Sequence, residues 1–363
     1  MTAVVVKVGT SSITSAHGEV DAGAVAKLCG EVAGLRERGL PVVVVTSGAI
    51  AAGIPALGLR ARPTDLAVLQ AVSAVGQSRL MRVYDDAFAR LSIVSGQVLL
   101  APLDFVHRSQ YLHARQTLDR LLELGVVPVV NENDAIADDE IRFGDNDRLA
   151  ALVAQLVGAS TLVLLTDTPG MFTADPRLDA GASLIEEIVE VDHELERLAG
   201  GKGTERGSGG MASKLAAAKI AAWSGVRAVI AAAGRPAVLA DAVDGVAGVG
   251  TVVQPRARRL PARKVWIAFA VGSSGTVVVD DGARAALVER NTSLLPAGVV
   301  GVRGSFDADD AVEIAGPDGR VFAKGLVRHP ARLVEEWAGR RTVDLPPDMA
   351  HEVVHRDDLV VLP

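Results

Sequence analysis

The chain has 363 residues, of which 49% are hydrophobic and 22% are charged, a composition that is typical of globular proteins and excludes a largely disordered one. The formal net charge of −7 disfavours a nucleic-acid binder, and the single cysteine, Cys29, excludes disulfides and cysteine-ligated metals. No apolar run reaches the ~18 residues of a membrane span and no basic leader precedes the first apolar run, so we expect a cytoplasmic protein without membrane contact.

Residues 3–255 alternate short β-branched runs with longer segments of helical period. The predicted strands are AVVVKV (3–8), VVVVT (42–46), IVSGQVLL (93–100), VVPVV (126–130), TLVLLT (161–166) and VRAVIAA (226–232), and the clearest helices lie at 21–39 and 65–91. Strands that are apolar throughout are buried on both faces, which indicates a mainly parallel sheet sandwiched by helices. We therefore expect an α/β domain over residues 1–255.

The pattern changes after a basic linker, which we place at residues 256–271. The pieces beyond its basic part are short, strand-like and separated by Gly, Asp and Pro turns: WIAFAV (266–271), GTVVVD (275–280), VVGVRGSF (299–306), AVEIAG (311–316) and VFAKGLV (321–327). We therefore expect a small, mostly-β domain over residues 272–363.

Small and polar residues follow four of the predicted strands, in KVGTSS (7–12), TSGAIAAG (46–53), NEND (131–134) and TDTPGMFTADP (166–176). Ligands of open parallel sheets bind beyond the carboxyl ends of the strands, so these exits predict one cleft. KVGTSS joins Lys7 to a glycine turn with exposed N–H groups, which suits a phosphate, although a plain connector has the same composition. A lysine inside an apolar strand needs an anionic partner or an outlet to solvent.

Ser47 stands directly after the second predicted strand, at the head of SGAIAAG (47–53). Its hydroxyl can hydrogen-bond a carboxylate, and the small residues beside it let a ligand approach the backbone. Tight packing of a helix on the sheet explains the same residues equally well. No G-x-S-x-G elbow surrounds Ser47, so we do not treat it as a nucleophile.

The segment NENDAIADDEIRFGDND (131–147) contains seven Asp and Glu against one Arg and no His. The spacing of its Asp, Asn and Gly residues does not fit a calcium loop. Asp145 or Asp147 is expected to cap the next helix. Residues 138–140 are expected to form a solvated tip. A mixture of amides and carboxylates remains, which suits an α-ammonium and an α-carboxylate better than a bare metal: Asn131, Asn133, Asp134, Asp145, Asn146 and Asp147.

A second glycine-rich segment, GTERGSGGMASK (203–214), leads into a helical pattern with Lys214 in its first turn. Backbone donors, helix dipole and ammonium converge there on an anion site, and a mobile surface loop before an ordinary helix is the alternative. Neither the Walker A spacing nor the dinucleotide-binding fingerprint fits the chain.

The motifs quoted above, together with AVSAVGQSRL (71–80), occur in the order and spacing of the glutamate 5-kinases of the amino-acid kinase family, which the chain resembles over its whole length. The end of the chain, with VVHRDDLVVL (353–362), resembles a PUA domain. The resemblance implies transfer of a phosphoryl group from ATP, with Mg²⁺, to the side-chain carboxylate of L-glutamate at the start of proline synthesis. It also implies feedback inhibition by proline, and we expect a homo-oligomer, either a dimer or a tetramer.

The resemblance also implies roles for individual residues. Lys7, Lys214 and Asp147 form the catalytic set, in which Asp147 orients the two lysines. The substrate-binding positions are Ser47, Asp134 and Asn146, to which we add Asn131 and Asp145. The ATP-binding positions are Lys7, Gly9, Thr166, Asp167, Ser208, Gly209, Gly210, Met211, Ala212, Ser213 and Lys214. Two of them depart from the family, because Ser208 and Ala212 stand where Thr and a hydroxyl residue are frequent.

Two rival functions are open at this point. Another amino-acid kinase, acting on acetylglutamate, aspartate, a nucleoside monophosphate or carbamate, would share the fold, but an acetylated substrate has no free ammonium to call for an acidic pocket. RNA binding through the PUA domain is the other rival. Residues 263–363 contain 12 Lys and Arg against 15 Asp and Glu, an acidic balance that disfavours binding to a phosphate backbone.

Overall fold

A computed structural model describes residues 2–15, 19–105, 107–136, 146–179, 181–200, 210–257, 259–269, 271–346 and 351–362. The chain divides into two compact units, Met1–Arg259 and Leu260–Pro363. Within the described ranges, every helix is too short or too polar to cross a lipid bilayer.

The first unit is built on one eight-stranded sheet with the strand order β3-β4-β2-β1-β5-β7-β8-β6. The strands are β1 Val4–Val8, β2 Val42–Val45, β3 Ser95–Leu100, β4 Val127–Glu132, β5 Thr161–Thr166, β6 Glu187–Ile188, β7 Arg227–Ala232 and β8 Thr251–Val253. Every neighbouring pair is parallel except β7 and β8. The first strand of the chain, β1, therefore lies in the middle of the sheet, between β2 and β5.

Helices cover both faces of this sheet: α1 Thr10–Ile13, α2 Ala22–Glu37, α3 Ala49–Ala56, α4 Leu66–Ala89, α5 Arg108–Glu123, α6 Asn146–Leu156, α7 His193–Ala199, α8 Met211–Trp223 and α9 Val238–Asp244. On one face, Val4, Val6 and Val8 pack into a core with apolar residues of α2, α4 and α9. Alternation along the strand puts Lys7 on the opposite face, where α6 contacts β1.

The expected α/β class and its mainly parallel sheet are confirmed, and all six predicted strands are present. Two strands of the sheet, β6 and β8, were missed, because two or three residues are too few to show a period. Both long predicted helices are present as α2 and α4. Their N-caps are Asp21 and Asp65, whose carboxylates accept backbone N–H groups of the first turn.

A close crossing of α3 and α4 depends on two glycines. A Cβ atom added to Gly76 would lie 1.7 Å from the carbonyl oxygen of Ala49, and one added to Gly53 would lie 2.0 Å from that of Val72. The two helix backbones are therefore in direct contact. Before α3 the chain turns at Gly48, whose φ of +104° is a left-handed conformation that glycine adopts at little cost.

The described part of the second unit contains a five-stranded sheet with the order β10-β9-β11-β12-β13 and three α-helices. Its elements are α10 Ala262–Phe269, β9 Gly275–Val279, α11 Asp281–Arg290, β10 Val299–Gly304, β11 Ala311–Ala315, β12 Val321–Val327, α12 Ala331–Trp337 and β13 Val354–Val361. The expected strand-rich C-terminal domain is confirmed.

The strand predicted from WIAFAV (266–271) is wrong, because residues 262–269 form α10. Val265 and Ile267 of this helix are buried, and α10 packs on β12 and β13. A short apolar run fits a strand and a buried helix equally well, and packing against a neighbouring sheet decides between them. The residues predicted as a linker thus include the end of the first unit and a helix of the second.

Candidate active site

Two lysines and one aspartate meet beyond the carboxyl edge of the central strands. Asp147 Oδ1 lies 2.6 Å from Lys7 Nζ, and Asp147 Oδ2 lies 3.1 Å from Lys214 Nζ. Ser213 Oγ also donates to Asp147 Oδ2, at 3.1 Å. The exposed fractions are 1% for Asp147, 5% for Lys7 and 6% for Lys214, so all three charges are withdrawn from bulk water. The structure thereby brings together the three residues of the predicted catalytic set.

The carboxylate of Asp147 is ionised between its two lysines. Burial raises the pKa of Asp147, but the two neighbouring ammonium groups more than offset that effect and hold the pKa below its usual value, so the carboxylate stays ionised. Two ammonium groups and one carboxylate therefore lie together in a poorly hydrated place. Two positive charges at such a place suit an anionic ligand such as a phosphate.

Helix geometry places two members of the cluster. Asp147 is the second residue of α6, where the helix dipole stabilises a negative charge, although Asp147 lies within the first turn rather than at the N-cap position. Lys214 lies in the first turn of α8, whose N-cap residue is Gly210. The N-termini of α6 and α8 thus converge on the carboxyl edge of β1.

Ser47 and Asn146 connect two strand exits beside this cluster. Asn146 Nδ2 donates to Ser47 Oγ at 3.0 Å, and Asn146 Oδ1 accepts the backbone N–H of Glu132 at 3.3 Å. Asn146 is the first residue of α6, so it is the immediate chain neighbour of Asp147. The predicted substrate-binding pair Ser47 and Asn146 is therefore in direct contact, next to the charged cluster.

Asn131 and Asp134 lie at the end of β4 and in the 3-10 turn Asp134–Ile136 that follows it. Asn131 Nδ2 donates to Gln77 Oε1 at 2.8 Å, and the carboxylate of Asp134 accepts a short hydrogen bond from Ser73 Oγ. Burial raises the pKa of Asp134, while the Ser73 hydrogen bond and the charge of Arg62 lower it in part. Asp134 has no cationic partner within hydrogen-bond distance among the described residues, unlike Asp147.

The predicted ATP-binding residues that the structure describes lie at three places along the same edge. Gly9 caps α1, and a Cβ atom added there would lie 3.5 Å from Lys7 Nζ. Thr166 is the last residue of β5, and its hydroxyl donates a 3.1 Å hydrogen bond to the carboxylate of the next residue, Asp167. They also line a cavity together with Ser12. The remaining described positions, Gly210, Met211, Ala212, Ser213 and Lys214, form the N-terminus of α8.

Three predicted site residues, Asp145, Ser208 and Gly209, lie outside the described residues, as does the predicted solvated tip at 138–140. Sequence reasoning assigned no role to two polar residues that the structure brings to the site, Ser73 and Gln77. Both belong to the motif AVSAVGQSRL. The available signal was a pair of polar residues four apart on a helix face that is otherwise apolar, and its meaning depends on what that face touches.

Comparison with known families and proteins gives a consistent result over the whole chain. Residues 2–232 match the model of the amino acid kinase family, and residues 275–346 match the PUA domain. The chain is 45% identical to a protein named glutamate 5-kinase of Geobacter sp. (strain M21), over 99% of this chain and 97% of that protein. It is 46% identical to the glutamate 5-kinase of Mycobacterium ulcerans (strain Agy99), over 99% and 96%.

Among solved structures, a carbamate kinase from Giardia lamblia bound to AMP-PNP superposes with a TM-score of 0.50. It shares 18% sequence identity with the present chain, and the match covers 70% of this chain and 99% of that one. At this identity the likeness concerns the fold, and it agrees with the helix-covered parallel sheet described above.

Proposed function

The chain belongs to the amino acid kinase family and, within it, to the glutamate 5-kinases, and we propose that it transfers the γ-phosphoryl group of ATP to the side-chain carboxylate of L-glutamate. The product is γ-glutamyl phosphate, the first intermediate of proline biosynthesis. The observation that carries the proposal is the buried cluster of Lys7, Asp147 and Lys214, in which two ammonium groups lie beside a set of amide and carboxylate groups.

The reaction needs little from the protein except alignment and charge. The side-chain carboxylate of glutamate is already ionised at pH 7, so it attacks phosphorus without a general base. The bond between the γ-phosphorus and the bridging oxygen breaks, and ADP leaves. Lys7 and Lys214 neutralise the charge on the phosphoryl oxygens, while Asp147 acts as a positioning residue that holds both ammonium groups.

We assign recognition of glutamate to the groups around the exits of β2 and β4. Asp134 is a buried carboxylate that suits the α-ammonium of the substrate. Ser47 and Asn146, which are joined by a hydrogen bond, provide donors for the carboxylate groups of glutamate. Asn131, at the end of β4, is assigned to the same pocket. An acetylated amino group could not pair with Asp134, which favours the free amino acid over N-acetylglutamate.

ATP is assigned to Gly9, Thr166, Asp167 and the N-terminus of α8, where backbone N–H groups and the helix dipole suit phosphate. The described residues contain no group of three His, Cys, Asp or Glu that could hold a metal ion. Both oxygens of Asp147 are engaged by lysines. A Mg²⁺ ion that arrives with ATP and is held mainly by phosphates and water would fit such a site, where it would neutralise charge on the phosphates.

Proline inhibition, a homo-oligomeric state and a cytoplasmic location belong to the same proposal. Proline shares an α-carboxylate and a cationic nitrogen with glutamate, so the pocket at Asp134 and Asn146 suits both molecules. A dimer or tetramer is expected in light scattering of the purified protein.

Trapping the acyl phosphate with hydroxylamine tests the proposed function. With ATP, Mg²⁺ and L-glutamate the protein should form the γ-hydroxamate, whereas N-acetylglutamate and aspartate should give little, and added proline should lower the rate. Hydroxamate formation that is faster with N-acetylglutamate or aspartate than with L-glutamate would contradict the proposed substrate.

A further inference from the structure

We propose that Ser73 and Gln77 of α4 are positioning residues for glutamate, Ser73 holding the carboxylate of Asp134 and Gln77 holding the amide of Asn131. The inference rests on the proposed function, because it concerns the pocket assigned there to the α-ammonium. It adds two residues that contact the substrate-binding side chains rather than the substrate. Both lie on α4, a helix that has no substrate-binding residue of its own.

The contacts are specific and buried. Ser73 is 3% exposed and donates its hydroxyl hydrogen to Asp134 Oδ2, while Gln77 is 8% exposed and accepts from Asn131 Nδ2 at 2.8 Å. Residues four apart on a helix lie on the same face, so one face of α4 serves both substrate groups. The two groups that it serves are three residues apart, at the end of β4 and in the turn that follows.

The surrounding face of α4 is that of an ordinary core helix. Leu80 and Tyr84 are fully buried on it. Apolar residues at 73 and 77 would pack there without the cost of burying a hydroxyl and an amide. Gln77 Nε2 is buried and has no hydrogen-bond partner among the described residues, which adds to that cost. Two polar residues at such a place are explained by the groups that they orient.

The crossing of α3 and α4 keeps this face in a fixed position. Gly76, between the two polar residues, touches the backbone of α3 at Ala49, and α3 starts immediately after Ser47 and Gly48. A rigid contact thus joins the helix that holds Asp134 and Asn131 to the segment that carries Ser47. Oriented side chains must be held to within about 0.5 Å to bind well, and this crossing provides the support.

The charge of Asp134 links the contact to pH. Among the described residues, the groups that act on this carboxylate are the Ser73 hydroxyl on α4 and the Arg62 guanidinium in the segment before α4, and both lower its pKa against the effect of burial. Removing the hydroxyl therefore raises the pKa of Asp134 further. Only the carboxylate form pairs with an ammonium. As the pH is lowered, the variant should therefore lose glutamate binding at a higher pH than the wild type does.

The test compares Ser73→Ala, Ser73→Thr and Gln77→Leu with Ser78→Ala, a matched control on the exposed side of the same helix. For Ser73→Ala we expect kcat/KM for glutamate to fall about tenfold, with its acid limb at higher pH, while KM for ATP changes less than about twofold. Ser73→Thr keeps a hydroxyl, so the acid limb of its kcat/KM profile should lie at the same pH as in the wild type. Gln77→Leu should raise KM for glutamate, and Ser78→Ala should change nothing.

The outcomes separate this inference from the proposed function. A wild-type protein that forms no γ-hydroxamate from glutamate defeats the proposed function. If the wild type is active and Ser73→Ala leaves both the acid limb and KM for glutamate unchanged, the positioning role is overturned. If Ser73→Ala fails to fold, Gln77→Leu takes its place as the test, because Gln77 contacts the substrate group Asn131. A wild-type KM for glutamate in Gln77→Leu overturns the inference. A raised KM for glutamate with an unchanged KM for ATP supports it.

Discussion

Two buried carboxylates of the first unit, Asp147 and Asp134, have pKa values shifted in opposite directions, although burial by itself raises both. Lys7 and Lys214 contact Asp147, and its pKa is lowered despite burial. Asp134 has one serine hydrogen bond and a more distant arginine, and its pKa is raised. The charge state of a buried acid is therefore decided by its partners as much as by its burial.

The difference assigns the two carboxylates different tasks. Asp147 is neutralised within the protein, so it can hold its two lysines in place before any ligand arrives. Among the residues that the structure describes, Asp134 has no cationic partner of that kind, so a substrate ammonium would complete its surroundings. We interpret the first as part of the permanent framework of the site and the second as a group whose partner is supplied by the ligand.

Replacing Asp147 should have the largest effect on the protein. Asp147→Ala removes a buried carboxylate that is ion-paired with two buried lysines, so we expect a loss of about 3–5 kcal/mol in the free energy of unfolding together with loss of turnover. Urea unfolding at pH 7 measures the loss. Because the folded-state pKa is lowered, the stabilisation is present above pH ~4 and disappears as pH falls through the folded-state pKa.

Asp244→Ala is the matched control for that experiment. Asp244 forms an ion pair with Arg38 at 2.6 Å, but both side chains are exposed, so the expected loss is below about 1 kcal/mol. Equal losses for the two variants would contradict the interpretation of Asp147 as a buried counter-ion.

Removing either lysine should damage catalysis more than stability. Lys7→Ala and Lys214→Ala should each cost about 3 kcal/mol or more of transition-state stabilisation, because each removes a positive charge from the phosphoryl oxygens. Steady-state kinetics measure the loss as a fall in kcat. Lys219→Ala, on the same helix as Lys214 but paired with Glu196, is the control and should retain turnover. Near-wild-type kcat in the Lys7 or Lys214 variant would be incompatible with the assigned roles.

Replacing Asp134 should separate function from stability. For Asp134→Asn we expect KM for glutamate to rise at least about tenfold, because a charged partner of the ammonium is lost. The free energy of unfolding should stay the same or rise, since a raised folded-state pKa means that the ionised carboxylate is less stable in the folded protein than in the unfolded chain. Kinetics and urea unfolding of one preparation test both parts. A variant that lost stability but kept its KM for glutamate would contradict this assignment, because Asp134 would then act as a structural residue, as Asp147 does.

The smallest effect is expected at Arg62, which acts on Asp134 from an exposed position. Exposed charges are screened by salt, so Arg62→Gln should change KM for glutamate by about twofold or less at low ionic strength. The change should vanish near ~1 M salt, where the screening length is about 3 Å. A change that persisted at high salt would indicate direct contact between Arg62 and the substrate.

Local patterns were sufficient for much of the fold and for part of the site. The unbroken apolar runs predicted six strands of the sheet. The lysine inside AVVVKV predicted either an anionic partner or an outlet to solvent, and the structure shows the partner. The partner, Asp147, was already a member of the predicted catalytic set. The run WIAFAV shows the limit of such patterns, because the buried side chains of α10 fit either secondary structure until a neighbouring sheet is present.

The sequence by itself determined the α/β class, the separate strand-rich domain and the chemical types of the site residues, because burial periods and strand exits are local properties of the chain. Tertiary structure alone decided that Ser73 and Gln77 lie behind Asp134 and Asn131, and that two similar carboxylates have opposite pKa shifts. The physical reason is distance. Charges and hydrogen bonds act over a few ångströms in space, and residues such as Lys7, Asp147 and Lys214 meet only when the sheet and its helices are packed.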